Sequence, residues 1–177
     1  MKFVHSTFCA VLTIAMASAA IAQQKPEEIS LELVPAVVMK TAIQVDKQAE
    51  WPQALWAPSP NSGGRLYALK GRILIRAERQ TARIDGDVDI TPAEYQFVEV
   101  GVLEDGQLNY VVKRVPLETV PENVTTTLRT KIEATPLYAY IARTSIAGDP
   151  LGYIFEFDEI GLLRYFVTTD AKTAGKL

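Results

Sequence analysis

The chain has 177 residues, 48% of them apolar, and a formal net charge of −3. That is enough for one packed domain, and with no Lys/Arg-rich tract it argues against nucleic acid as a partner. The single histidine, His5, and the single cysteine, Cys9, both lie near the start, which bears directly on the chemistry left to the rest.

The opening "MKFVHSTFCAVLTIAMASAAIAQQ" has a cation near the start, an apolar run and small residues ending at Ala22. This is the pattern of a secretory signal peptide over residues 1–22, and the run is too short for a bilayer span. Cleavage predicts a periplasmic or secreted chain of 155 residues with 17 cations, 21 anions, no histidine and no cysteine. Ser-His-Asp and Cys nucleophiles, His/Cys zinc sites, iron-sulfur clusters and His- or Cys-ligated haem are thereby excluded. No cofactor or metal is expected, and no disulfide.

Residues 23–28 read as a flexible leader. From Ile29 to Val45, "ISLELV" alternates like a strand, Pro35 interrupts it, and "AVVMKTAIQV" suits strand or helix equally. "WPQALWAPSPNSGG", with Pro52, Pro58 and Pro60, reads as a long loop. That loop would carry Trp51 and Trp56 as a platform for a sugar ring or a partner peptide, or would fold them back over an open end of a sheet.

"LYALKGRILIRAERQTARI", starting at Leu66, has the period of a strand. Leu69, Gly71, Ile73 and Ile75 fall on one face, and Lys70, Arg72, Leu74 and Arg76 on the other. Six cations against Glu78 between Arg65 and Arg83 give this stretch a local charge of +5. Lys70, Arg72 and Arg76 therefore form a candidate binding face for an anionic glycan, a lipid headgroup or an acidic protein, unless nearby acids neutralise them.

The acids follow at once in "TARIDGDVDITP", where Asp85, Asp87 and Asp89 alternate. A calcium loop starting at Asp85 would need glycine and glutamate where Ile90 and Gln96 stand. A hairpin turn at Asp85-Gly86 fits better. So does a strand with its acids in solvent and Val88 and Ile90 facing the core.

"YQFVEVGVL" and "QLNYVVKRVPL" flank Glu104-Asp105-Gly106 and predict a hairpin. In Pro121–Ala134, Val124, Leu128 and Ile132 recur at helical spacing, and this is the one predicted helix. "LYAYIARTSI", "LGYIFEF" and "GLLRYFVTT" supply the last strands. No internal repeat is expected, and residues 170–177 are read as a flexible tail.

The expected fold is mainly β or α+β. It is an antiparallel sandwich or small barrel of about seven to eight strands with one helix, forming a single domain over 29–169. The expected function is a non-enzymatic envelope binding protein acting as adaptor, assembly factor or inhibitor through a protein partner. One alternative is a cell-wall carbohydrate-binding module or carboxylate-dependent glycan hydrolase, with Glu94, Glu99, Glu156, Asp158 and Glu159 as available acids. Another is a structural subunit of an envelope assembly.

Overall fold

The computed structural model describes residues 26–59, 63–83, 87–158 and 163–177. The segment read as a signal peptide, Asp85 and Glu159 lie outside them. Strand β1 (Glu27–Ile29) leads through a 3-10 turn (Leu31–Leu33) into helix α1 (Ala36–Val45). Strands β2 (Glu50–Pro58), β3 (Arg65–Arg76), β4 (Arg79–Ala82), β5 (Val88–Thr91), β6 (Glu94–Leu103) and β7 (Leu108–Val115) follow. A second 3-10 turn (Leu117–Thr119) opens helix α2 (Glu122–Arg129). Strands β8 (Tyr138–Arg143), β9 (Gly152–Glu156), β10 (Arg164–Thr168) and β11 (Ala174–Lys176) complete the order.

Nine strands form one antiparallel sheet in the order β1-β2-β3-β6-β7-β8-β9-β10-β11, and β4-β5 form a separate ribbon. The expectation of an antiparallel, mainly β fold therefore holds, with two α-helices among the described residues rather than one. The sheet is sandwich-like and open, since β1 and β11 end it as unpaired edges instead of closing a barrel. Glu27 and Glu28, expected in a flexible leader, pair with β2. Residues 174–176, expected in a flexible tail, pair with β10.

The stretch from Trp51 to Pro58 is a strand, not a loop. Proline cannot donate to a ladder, but it is tolerated at bulges and at strand ends. Pro52 sits in a register shift between Glu50 and Gln53, and Pro58 is the last residue of β2. The hairpin between β6 and β7 forms as predicted, with Gly106 at φ +88°, a conformation that glycine adopts without steric cost.

The two helices belong to two copies of one unit, so the expectation of no internal repeat is overturned. "LELVPAVV" (31–38) and "LETVPENV" (117–124) share leucine, glutamate, valine, proline and valine at matching positions, 86 residues apart. The local geometry repeats at the same offset. Leu33 N–H donates to the Ser30 carbonyl (3.0 Å) and Val38 N–H to the Pro35 carbonyl (2.9 Å). Thr119 donates likewise to Pro116 (3.0 Å) and Val124 to Pro121 (3.0 Å). Each proline has the fixed φ that suits a helix entry, at −54° and −56°.

Each helix is followed by four antiparallel strands, β2-β3-β6-β7 and β8-β9-β10-β11. Registers match as well, with Ala54 opposite Leu69 and Ala139 opposite Phe155, all four fully buried. Val38 and Ala42 of α1 join Ala54 and Leu69 in one core cluster, and Val124 and Leu128 of α2 join Ala139 and Phe155 in another. The small residue in the first strand after each helix gives the helix room to lie close to the sheet.

A third cluster fills the opposite face: Leu66, Tyr110, Val112, Tyr140, Ala142, Ile154 and Phe166. It draws on strands from both units. Neither helix belongs to it, so the sheet itself must curl to bury these side chains.

Candidate functional site

The two units differ most in one hairpin. In the second unit β9 and β10 are five residues each and separated only by 157–163. In the first, β3 and β6 run to twelve and ten residues, and the ribbon β4-β5 continues beyond them. The result, among the described residues, is a two-stranded arm between Leu74 and Tyr95 for which the matching hairpin has no counterpart.

The arm is apolar without being buried. Leu74 (52%), Ile75 (57%), Val88 (53%), Ile90 (60%) and Tyr95 (42%) are all substantially exposed. Val88 and Ile90 therefore do not face a core. Every residue of β4 and β5 is exposed, because a two-stranded ribbon has no third layer to pack against.

Charged residues flank these side chains. Arg72 pairs with Glu50 (2.9 Å) and lies over the Tyr95 ring at 4.9 Å. Arg76 pairs with Glu94 (3.3 Å) and Arg83 with Asp89 (3.6 Å). Lys70 stands in register with Gln53 on one side and Glu99 on the other. The Arg72 and Arg76 charges are therefore balanced by local acids, and such exposed pairs are worth at most about 1 kcal/mol each. They keep the edges soluble and leave the apolar side chains as the distinctive feature of the arm.

The structure does not unite the tryptophans with this face. Lys70 and Arg72 lie on the curled inner side of the sheet, whereas Trp51 belongs to the helix-side core, only 8% exposed. Its ring covers Gly71, where a Cβ would lie 2.7 Å from Trp51 Cε3. Trp56 packs half-buried against the same cluster, and the Arg65 guanidinium stacks on it at 5.0 Å. Neither ring offers a free face of the kind a sugar platform needs.

Two of the acids considered for catalysis are held in structural bonds. Tyr110 donates to Glu99 Oε1 at 2.8 Å, and Arg164 grips Glu156 Oε2 through Nε (3.0 Å) and Nη2 (2.8 Å). Burial and then the Glu99 charge push the Tyr110 hydroxyl well above its usual range. Burial and then Glu156 push Tyr140 up to about 12. Glu99 on β6 and Glu156 on β9 are separated by β7 and β8, and each is committed to its own partner.

No group of three or more metal-capable side chains occurs among the described residues, and no described helix is long and apolar enough to cross a membrane. No protein-family model, curated protein or solved structure matches the chain. Sequence reasoning marked the cations of the arm but missed that its apolar side chains stand in solvent, because alternation alone does not say whether a strand has anything to pack against.

Proposed function

We propose that this chain is an exported, non-enzymatic binding protein of the cell envelope that engages a protein partner through the arm, as an adaptor, assembly factor or inhibitor. The observation that carries the reading is the set of five large apolar side chains held in solvent on an extension that the matching unit lacks. Exposed apolar patches on an ordered element mark interaction sites. Burying the remaining half of each side chain is worth about 1 kcal/mol, from about 1.5–3 kcal/mol for full burial. Such contacts, with the Arg72 and Arg76 pairs at their rim, suit a weak, reversible protein interface. A free strand edge on β4 or β5 also supports recognition by strand addition.

The test is crosslinking of the tagged protein in its native envelope, comparing the wild type with a Leu74→Glu/Ile90→Lys variant. A discrete protein captured by the wild type and lost in the variant, at unchanged thermal stability, is the expected result. Capture that survives the double substitution would refute the arm as the docking surface. Capture of further copies of the same chain alone would replace the adaptor reading with that of a structural subunit.

A further inference from the structure

The arm is too small to hold a partner firmly by itself. Specific protein interfaces engage about 20–30 residues a side, whereas strands β4 and β5 supply four each. A partner that grips the arm must therefore rest on adjoining ground as well. At the root of the arm Leu74 and Tyr95 stand in register. The Arg72 guanidinium, over the Tyr95 ring, leads from them onto the inner face of the sheet.

From there a line of contacts crosses the sheet. Arg72 on β3 is in register with Phe97 on β6, and the Phe97 and Tyr140 rings meet edge-on, 5.8 Å apart at 79°. Tyr140 on β8 is in register with Arg114 on β7, whose guanidinium lies 3.8 Å from the centre of the Tyr138 ring. Phe97, Arg114 and Tyr138 are all partly exposed, and tyrosine and arginine are among the residues that dominate protein interfaces. Arg72 is held by Glu50 and Arg164 by Glu156. Among the described residues the Arg114 side chain has no acidic partner, and the Tyr138 ring is its contact.

We propose that this strip, from Tyr95 through Phe97 to Arg114 and Tyr138, continues the docking surface of the arm and takes an acidic segment of the protein partner. An aspartate or glutamate carboxylate sits on Arg114, and apolar side chains pack against Tyr95 and Phe97. The inference rests on the reading of the arm as a docking surface and adds the chemistry of the partner. A guanidinium laid on an aromatic ring keeps its in-plane N–H groups for a carboxylate. Strands β3, β6, β7 and β8 are each paired on both sides, so the partner is read here by side chains and not by strand addition. One unneutralised cation beside the Arg72 and Arg164 ion pairs suits a carboxylate rather than the dense charge of a nucleic acid.

The experiment places benzoylphenylalanine, a photoreactive aromatic residue, at Tyr138 in one tagged protein and at Ile90 in another, and irradiates each in the native envelope. The same protein captured at both positions is expected, with the Tyr138 crosslink mapped by mass spectrometry to a partner peptide rich in Asp or Glu. Arg114→Glu should lower capture at Ile90 about tenfold or more, and Arg114→Gln about threefold or more, at unchanged melting temperature. The Tyr138 crosslink, made with Arg114 intact, decides the matter where a substitution unfolds the sheet. Capture at only one position overturns the inference, and at Ile90 alone it leaves the arm reading standing; capture at neither overturns both. A glycan, a second copy of this chain or a segment without acids at Tyr138 also overturns it, as does capture at Ile90 that neither substitution changes.

Discussion

Replacing Gly101 with alanine tests how the inner face of the sheet is packed. Gly101 pairs directly with Tyr110, whose ring lies flat across it. A Cβ at this position would stand 2.1 Å from Tyr110 Cε1 and 2.4 Å from Cδ1, so the ring must move. Overpacking of this kind costs about 1–3 kcal/mol. Moving the ring also pulls the hydroxyl from Glu99, and a hydrogen bond to a charged acceptor is worth about 1.5–3 kcal/mol. Gly101→Ala should therefore destabilise by about 3–5 kcal/mol. Tyr110→Ala should cost about as much by leaving a cavity, but in that background Gly101→Ala should be neutral or stabilising by up to about 1 kcal/mol, since glycine is a poor strand residue. Urea unfolding of the four proteins of the cycle gives the coupling. If Gly101→Ala stays within about 0.5 kcal/mol of wild type in both backgrounds, the ring does not hold the position and the reasoning fails.

Ala54→Leu and Ala139→Leu occupy matching places under the two helices, so each should lower stability by about 1–3 kcal/mol or more, as read from melting curves. A large effect at one and none at the other would show that the halves share topology without sharing packing. The pH limits follow from named groups. Burial alone would raise the Asp46 carboxyl, but the Lys113 bond and charge, with the Gln48 and Ala49 N–H groups, hold it below its ordinary value. Its contribution is full above the unfolded carboxylate pKa and is lost as pH falls through the lower folded value, so Lys113→Met should flatten the acid limb of stability. Tyr140 and Tyr110 are raised, so their contributions are full below about 10 and lost as pH rises toward the folded values, about 12 for Tyr140. Tyr140→Phe should remove about 1–2 kcal/mol of that alkaline loss in pH-dependent unfolding.

Where one physical signal dominated, the sequence was readable. The alternation from Leu69 to Ile73 matches the burial of β3, and Glu104-Asp105-Gly106 is the β6-β7 turn. Val124 and Leu128 are the buried face of α2, flanked by Ile132. Threonine is a weak helix former, and Thr125 and Thr127 are accommodated in α2 because their Oγ1 atoms donate to the Glu122 and Ala171 carbonyls. Reading failed where two signals competed. Pro52 and Pro58 masked a strand whose missing donors fall at a bulge and an end. The duplication stayed hidden because the shared residues are confined to one short motif, while later matches such as Ala54 with Ala139 preserve burial and register rather than a recognisable run. The arm was half legible. Its charges were plain, but the exposure of Ile75, Val88 and Ile90 depends on the absence of a packing layer, which is a property of the whole sheet.

The repeat also carries a consequence for self-assembly. In the first unit β7 offers its outer edge to β8, and that bond joins the units. In the second unit β11 stands in the place of β7, and at the other end β1 caps β2. An arrangement in which each last strand accepts the next first strand can in principle grow without limit, chain after chain, into a filament. Here β1 and β11 are three residues long, against eight in β7, and they carry Glu27, Glu28 and Lys176. Short, charged edges are what discourage open-ended strand addition, so the same geometry that joins two units into one sheet would make a polymer of this protein if its outermost strands were longer and apolar.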